Sequence, residues 1–294
     1  MNSVGEARLR DLIMEQLAQR MEASTVITRD DLENFEVEGE VHKLIDQSKG
    51  IRNPNYLQAT ITIISDPKSS YNDGMGADSL YRYAYEKGGE HGSNRKLRRA
   101  MELQLPIIML RKIRTGAFVP IFPVYVQADD REHRQFLLAL DEGLRFIDDP
   151  LHLTEDERRY ADRMVRQRLH QPEFRAKVLL AYETQCAICR LRRSALLDAA
   201  HITSDTAALG IPVIANGLSL CKIHHAAYDA DLLGISPEYR VHINGDLLLE
   251  TDGPMLKHGL QEMDGRHLAI PRRRTDRPDP ARLEARFAAF SQAG

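Results

Sequence analysis

The stretch that decides the fold is Cys186-Ala-Ile-Cys189, continued by Leu197-Asp-Ala-Ala-His-Ile202 and then by Asn216-Gly-Leu-Ser-Leu-Cys221-Lys-Ile-His224-His225-Ala-Ala-Tyr-Asp229. Two pairs of side chains, Cys186 with Cys189 and Cys221 with His224, are each separated by two residues. Such pairs can converge on one tetrahedral ion through three thiolates and an imidazole, which makes structural zinc the expected occupant. The pairs use every cysteine of the chain. An odd, clustered set of cysteines argues for metal rather than disulfides. The first residues, MNSVGEARLRDLIMEQL, lack the apolar core of a signal peptide. Together these features point to the cytoplasm.

Three further polar positions lie between and after the pairs: His201, Asn216 and the couple His225 and Asp229. His225 and Asp229 are one helical turn apart, so on a helix they share a face and can hold one cation. The run from Ala200-His201-Ile202 through Asn216–Cys221 to His224–Asp229 resembles the HNH nuclease family, over roughly residues 178–245. That resemblance implies a small ββα-metal fold, two strands and a helix around one divalent ion. It makes His201 the general base, a role suited to an imidazole that titrates near neutrality. It makes Asn216 the residue that holds the loop and orients the base. His225 and Asp229 become ligands of catalytic magnesium or manganese, distinct from the zinc. Many members carry an Asp or His directly before the base, where this chain has Ala200. Asp198, on the same strand face as Ala200, is the candidate replacement ligand; otherwise His225 and Asp229 suffice with water and phosphate.

Working outward, the chain reads as five parts. Residues 1–24 carry an amphipathic helix, with Leu9, Leu12, Ile13 and Leu17 at helical spacing, suited to packing or dimerisation. Residues 25–149 are mixed and mainly β. Strands are expected at Leu57–Ile64, Leu80–Tyr85, Pro106–Ile113 and Ala117–Val126, the last two joined by a Thr115-Gly116 turn. A helix is expected over Asn94–Leu103, capped by Asn94. Gln135–Glu142 fits a strand or a helix. Residues 150–183 form a charged helical connector that starts at Thr154 and is broken at Pro172. Residues 184–245 hold the metal pattern, and 246–294 a basic run, Arg272–Arg274, and a closing helix from about Pro280. The fold class is therefore α+β. No apolar run approaches the length of a membrane span.

The net charge of −3 hides a basic region. Arg95, Lys96, Arg98, Arg99, Arg111, Lys112 and Arg114 are opposed only by Glu102, as contact with DNA phosphates requires. Tyrosines precede it. The order Ser70-Tyr71-Asn72-Asp73-Gly74, Tyr81-Arg82-Tyr83, Gly88-Gly89, Asn94, Leu97 and Pro106–Arg111 is similar to the SRA (SET and RING-associated) domain, over about residues 50–140. The likeness implies a PUA-like β-barrel that flips a modified cytosine into an aromatic pocket. Tyr71 and Tyr83 would be the stacking pair and Asp73 the cytosine reader, with Asp78 as the alternative acid. Stacking on tyrosine faces and a carboxylate at cytosine N4 suit that task.

The expectation is a modification-dependent, type IV-like restriction endonuclease. It would recognise double-stranded DNA with 5-methylcytosine or a related base and cut at a 3′-oxygen. A homodimer would cut both strands. Two alternatives stand beside it. One is an HNH endonuclease whose first domain reads unmodified sequence, phosphorothioate or DNA structure. The other is a non-catalytic DNA reader with a zinc module.

Overall fold

The computed structural model describes residues 3–67, 74–75, 80–87, 89, 91–204 and 210–293. They form two compact units, one ending at Glu173 and the other beginning at Phe174.

The first unit begins with α1 (Ser3–Ala23). Its stripe Ile13, Met14 and Leu17 packs with Phe35, Leu44, Ile61, Ile108 and Phe118, so the helix is a core element of its own unit. Arg10 and Glu6, both wholly buried, pair at 2.8 Å on the same face. Arg10 also donates to the carbonyls of Pro106 and Ala59, and Glu6 accepts from the Gln58 amide. Two charges survive burial here because their remaining hydrogen-bonding capacity is met.

The chain continues through β1 (Ile27–Thr28), α2 (Arg29–Glu33), β2 (Phe35–Val37), β3 (Glu40–His42), β4 (Ile51–Arg52), β5 (Thr62–Ser65), β6 (Gly74–Met75) and β7 (Tyr81–Ala84). Then come α3 (Ser93–Glu102), β8 (Ile107–Arg114), β9 (Ala117–Asp130) and β10 (Gln135–Ala139). Among the described residues, these strands build a curled half-barrel of eight strands, ordered β4-β5-β8-β9-β10-β7-β6, with β1 added to β9. β5 and β8 run parallel, the other pairs antiparallel. The long β9 serves both halves, pairing with β8 up to Val124 and with β10 from Tyr125 onward. Pro123 falls within a register shift opposite β8, where a missing donor breaks no ladder bond.

Three expectations need correction. The strand expected over Leu57–Ile64 begins only at Thr62. Before it, the Ala59 carbonyl is taken by Arg10 and the Thr60 hydroxyl by Asn53, so these residues serve α1 and a turn instead of a ladder. Asn94 is not the cap of α3, which Gly92 begins without a side-chain bond. Buried Asn94 instead bridges the backbone of Glu86 and Gly89, fastening α3 to the end of β7. Pro172 does not break the connector. A π-helical turn over Arg166–His170 joins α4 (Glu155–Val165) to α5 (Gln171–Ala181) without a break, the Gln171 amide reaching back to the Arg166 carbonyl, so the helix passes Pro172 through a widened turn just before it. The helix does start at Thr154, where Thr154 and Glu157 form a capping box. Much of the expected connector belongs to the first unit, since Ala161 and Met164 pack with Tyr125, Leu137 and Leu144.

The second unit contains β11 (Leu197–His201), β12 (Gly217–Cys221), α6 (Lys222–Asp229), β13 (Leu233–Ile235), β14 (Val241–Ile243), α7 (Gly245–Leu249), α8 (Pro254–Gly259) and α9 (Pro280–Ala293). β11 and β12 form an antiparallel hairpin, and α6 starts directly from its last residue. Residues 246–294 are built into this unit: Leu283 of α9 lies in the same core as Leu197, Leu218, Tyr228 and Leu233. No helix among the described residues is long and apolar enough to cross a membrane.

Candidate active site and metal cluster

Cys186, Cys189, Cys221 and His224 converge, with one ligand atom from each lying within 4.8 Å of all the others. Cys186 Sγ is 3.5 Å and Cys221 Sγ 3.1 Å from His224 Nδ1, and the Cys189 and Cys221 sulfurs are 3.9 Å apart. A tetrahedral zinc with Zn–S bonds of ~2.3 Å sets sulfurs ~3.8 Å apart. A disulfide would need about 2.05 Å. The spacing therefore fits zinc, and the cluster could hold it. His224 Nε2 lies 2.8 Å from the Gly259 carbonyl oxygen. A carbonyl only accepts, so Nε2 carries the proton and the lone pair of the neutral ring sits on Nδ1, facing the sulfurs. Burial pulls the His224 imidazole down, but hydrogen bonds to Cys186 and Cys221 outweigh it and lift the ring to about 10. The negative sulfur field responsible is the one a dication neutralises.

Asn216, wholly buried, fastens the loop that follows β11. Its side chain accepts from the Thr203 amide at 2.8 Å and donates to the carbonyls of Thr203 and Ile211 at 3.0 and 3.2 Å. An amide is required because the loop presents both a donor and acceptors. Its backbone carbonyl accepts from Ile202 at 3.0 Å, directly after His201.

His201 ends β11, opposite Gly217. Its ring stacks on Phe174 of α5, with centroids 4.1 Å apart and planes 13° from parallel. On the strand Asp198 and Ala200 share one face, His201 the other. Ala200 is fully buried.

His225 lies between two carboxylates. Its Nδ1 is 3.5 Å from Asp198 Oδ2 and its Nε2 3.3 Å from Asp229 Oδ2. Ligands at right angles on a cation with ~2.1 Å bonds stand ~3.0 Å apart, so His225 Nε2 and Asp229 fit one hard cation. Asp198 is engaged elsewhere: Lys222 Nζ is 2.7 Å from Oδ2 and Arg175 Nε 3.8 Å from Oδ1. Burial works against its ionisation, yet Lys222 and then His225 prevail and hold the carboxyl below its ordinary value. Among the described residues, the cysteine–histidine cluster is the only set of three or more potential ligands gathered this tightly. Asp198, His225 and Asp229 instead form a line through the imidazole.

Residues 186–236 match the family model described as HNH endonuclease. This segment is an HNH endonuclease domain. That supports nuclease activity on DNA; within the domain His201 ends β11, Asn216 directly precedes β12, and α6 carries His225 and Asp229. The chain is similar to a solved structure titled "Modification dependent TagI restriction endonuclease", at 15% identity and a TM-score of 0.29, over 90% of each chain. It is also similar to one titled "Structure of the Type IV phosphorothioation-dependent restriction endonuclease ScoMcrA", at 14% identity and a TM-score of 0.22. That match covers 62% of this chain and 48% of the other. No curated protein matches the chain in sequence.

In the first unit, Tyr71, Asp73 and Asp78 lie outside the described residues. Tyr83 is 3% exposed and packs among Tyr81, Tyr85 and Phe136, so most of its ring is core. It also lines a cavity of about 610 Å³ with Gly50, Ile64, Asp66, Tyr85 and Glu86. A Cβ on Gly50 would come within 3.2 Å of both the Tyr83 hydroxyl and Glu86 Oε1, so glycine brings this wall together.

The basic region divides. Arg111 is buried, paired with Glu173 at 2.8 Å and donating to Ser65 Oγ, and so is corrected from a phosphate contact to an internal tie. Lys96 donates to the carbonyls of Pro54 and Leu57, and Arg98 pairs with Asp129 at 2.5 Å; both are structural for the same reason. Lys112 pairs with Asp66 and exposed Arg99 with Glu102. Arg95 and Arg114 are exposed.

Phe174, Arg175 and Gly259 carry no signal in the sequence, because they lie outside the spacing pattern and look like ordinary helix and turn residues; Gly217 lies inside the motif, but its spacing says nothing of what packs against it. Arg175 ties α5 to β11 by donating to the carbonyls of Ser194 and Leu197.

Proposed function

We propose that this chain is a modification-dependent restriction endonuclease, with a reader in the first unit and an HNH nuclease in the second. The observation that supports the nuclease is the arrangement within the HNH domain: His201 ends the strand, Asn216 fastens the following loop, and His225, on the helix that leaves the hairpin, lies between Asp198 and Asp229.

His201 takes a proton from water as it attacks the phosphorus. Asn216 keeps the loop behind His201 from shifting. His225 and Asp229 would hold magnesium or manganese, which supplies Lewis-acid polarisation of the scissile phosphate and of the leaving 3′-oxygen. Asp198, 3.5 Å from His225 Nδ1, would orient the ring and leave Nε2 for the ion, an orienting role rather than that of a ligand. Cys186, Cys189, Cys221 and His224 would hold zinc and fix the origin of α6.

For the reader, the cavity beside Tyr83 supports the SRA-like reading. It has room for a nucleobase and carries carboxylates, Asp66 and Glu86, on its lining. 5-Methylcytosine or a related base, flipped from double-stranded DNA, is the proposed occupant, and Tyr71 and Asp73 remain its proposed partners. Arg95 and Arg114 would meet the phosphates. A homodimer would cut both strands.

The test is a cleavage assay on unmodified, methylated, hydroxymethylated and glucosylated DNA, with magnesium or manganese and with a His201→Ala control. Cutting of one modified DNA, lost in the control while binding persists, is expected. Equal cutting of all four rejects the modification reading. Binding without cutting under every metal rejects the nuclease.

A further inference from the structure

We propose that Phe174 is a positioning residue for His201, so that the working site extends upstream of the HNH segment into α5. The proposal rests on the reading of His201 as the base.

Three observations carry it. The imidazole and phenyl rings are nearly parallel, 13° apart, at 4.1 Å between centroids. Such a stack fixes the plane of the imidazole, because rotation about its Cβ–Cγ bond would swing the ring out of contact. A phenyl face neither donates nor accepts in the plane of the imidazole, so it orients the ring without claiming either nitrogen. Phe174 is itself held, at 3% exposure, in the core with Val178, Leu179 and Leu218.

Gly217, paired with His201 across the hairpin, makes the approach possible. A Cβ there would stand 2.9 Å from Phe174 Cζ and 2.5 Å from Val178 Cγ2, closer than packing allows. Glycine at 217 therefore lets α5 lie against the hairpin with the phenyl under the imidazole. Its backbone is extended, so no unusual conformation demands glycine at this position.

The experiment measures the cleavage rate constant at saturating DNA, the half-saturating DNA concentration and the melting temperature. It uses the full chain and a cytosine-C5-methylated supercoiled plasmid. Phe174→Leu is expected to lower the rate constant by roughly 10- to 100-fold with half-saturation unchanged, as a misplaced base would. Phe174→Tyr, which keeps the stack, should restore most of the rate. Val178→Ala removes the other side chain that crowds the Cβ position of Gly217 and leaves both rings of the stack in place. It should lower the melting temperature and keep the rate per folded molecule. Gly217→Ala, which displaces the phenyl without removing it, should reproduce Phe174→Leu. In a His201→Ala background, Phe174→Leu should add no further loss, because the two act as one unit.

Wild-type cutting by Phe174→Leu overturns the proposal. So does a loss matched by Val178→Ala at equal stability, or one that multiplies with the loss from His201→Ala. If Phe174→Leu does not fold, Phe174→Tyr and Gly217→Ala decide: Gly217→Ala cutting at the wild-type rate overturns it. Full cutting by His201→Ala alone is a different outcome, because it removes the base reading itself.

Discussion

His224 Nε2 donates to the carbonyl of Gly259 at 2.8 Å, which ties the cluster beside α6 to the end of α8, 35 residues away in sequence. That bond sets the tautomer of a candidate zinc ligand and makes the segment after β14 part of the metal cluster's support. Metal affinity and the stability of the second unit are thus one quantity, because the ligands come together only in the folded chain.

The first prediction follows. The purified protein carries zinc through the cluster, and His224→Ala or Cys189→Ser lowers zinc content and melting temperature together. A fall of at least about 10 °C is expected, from a loss of several kcal/mol in a unit of this size. Elemental analysis beside thermal melting checks it. Unchanged melting after complete zinc removal would refute the structural role.

The arrangement at His225 separates two carboxylates that look equivalent in sequence. Asp229 faces Nε2 on the same helix face, whereas Asp198 faces Nδ1 and already accepts from Lys222. Asp229→Ala should therefore abolish cutting at any accessible magnesium or manganese concentration. Asp198→Asn should raise the concentration needed by about 10- to 100-fold, and excess manganese should recover activity. A metal titration of both variants checks this. Equal, unrecoverable loss in the two would make Asp198 a ligand.

The basic region yields a third contrast. Arg111→Met removes the charged partner that Glu173 meets at 2.8 Å in a buried pair, which costs on the order of 3 kcal/mol of stability. Arg95→Ala or Arg114→Ala removes an exposed charge. It should leave melting unchanged while reducing the salt dependence of DNA binding by about one phosphate contact each. Binding isotherms at several salt concentrations distinguish the two classes.

The metal and nuclease pattern was legible in the sequence because coordination needs rare residue types at fixed spacings. Cys186, Cys189, Cys221 and His224 do come together, and Asn216 does fasten the loop beside His201. What escaped depends on partners remote in sequence. Arg111, Lys96 and Arg98 read as a charged surface because nothing local reveals Glu173, the Pro54 carbonyl or Asp129. Asn94 had the composition of a cap, but its position one residue inside the helix start turned its amide toward Glu86 and Gly89. Leu57–Ile61 had strand composition, yet Arg10 and Asn53 claimed its polar groups. Phe174 was invisible as a site residue because a phenylalanine in a helix is ordinarily core, and here it is core as well as neighbour to His201.

Asp129 supplies the last prediction, on pH. Its carboxylate accepts from Arg98 at 2.5 Å, from Arg131 at 3.2 Å and from the Tyr85 hydroxyl. Burial opposes its ionisation, but Arg98 and then Tyr85 prevail and hold the carboxyl below its ordinary value. The same network, with burial as the largest cause, pushes the Tyr85 phenol up to about 12, so Tyr85 remains the donor at every working pH. A carboxylate whose folded value lies below its unfolded value of about 3.9 binds fewer protons in the folded state. Its stabilisation is therefore complete above that unfolded value and is lost as pH falls through the folded one. Melting temperature should decline below about pH 4 in the wild type. Asp129→Asn should melt lower at pH 7 and show a shallower acid limb. Asp31, Asp46 and Asp130, also held below their ordinary values, will keep part of that limb. Melting curves from pH 7 to about pH 3 for the two proteins check this. An acid limb of unchanged slope in Asp129→Asn would remove Asp129 from the groups that link folding of the first unit to pH.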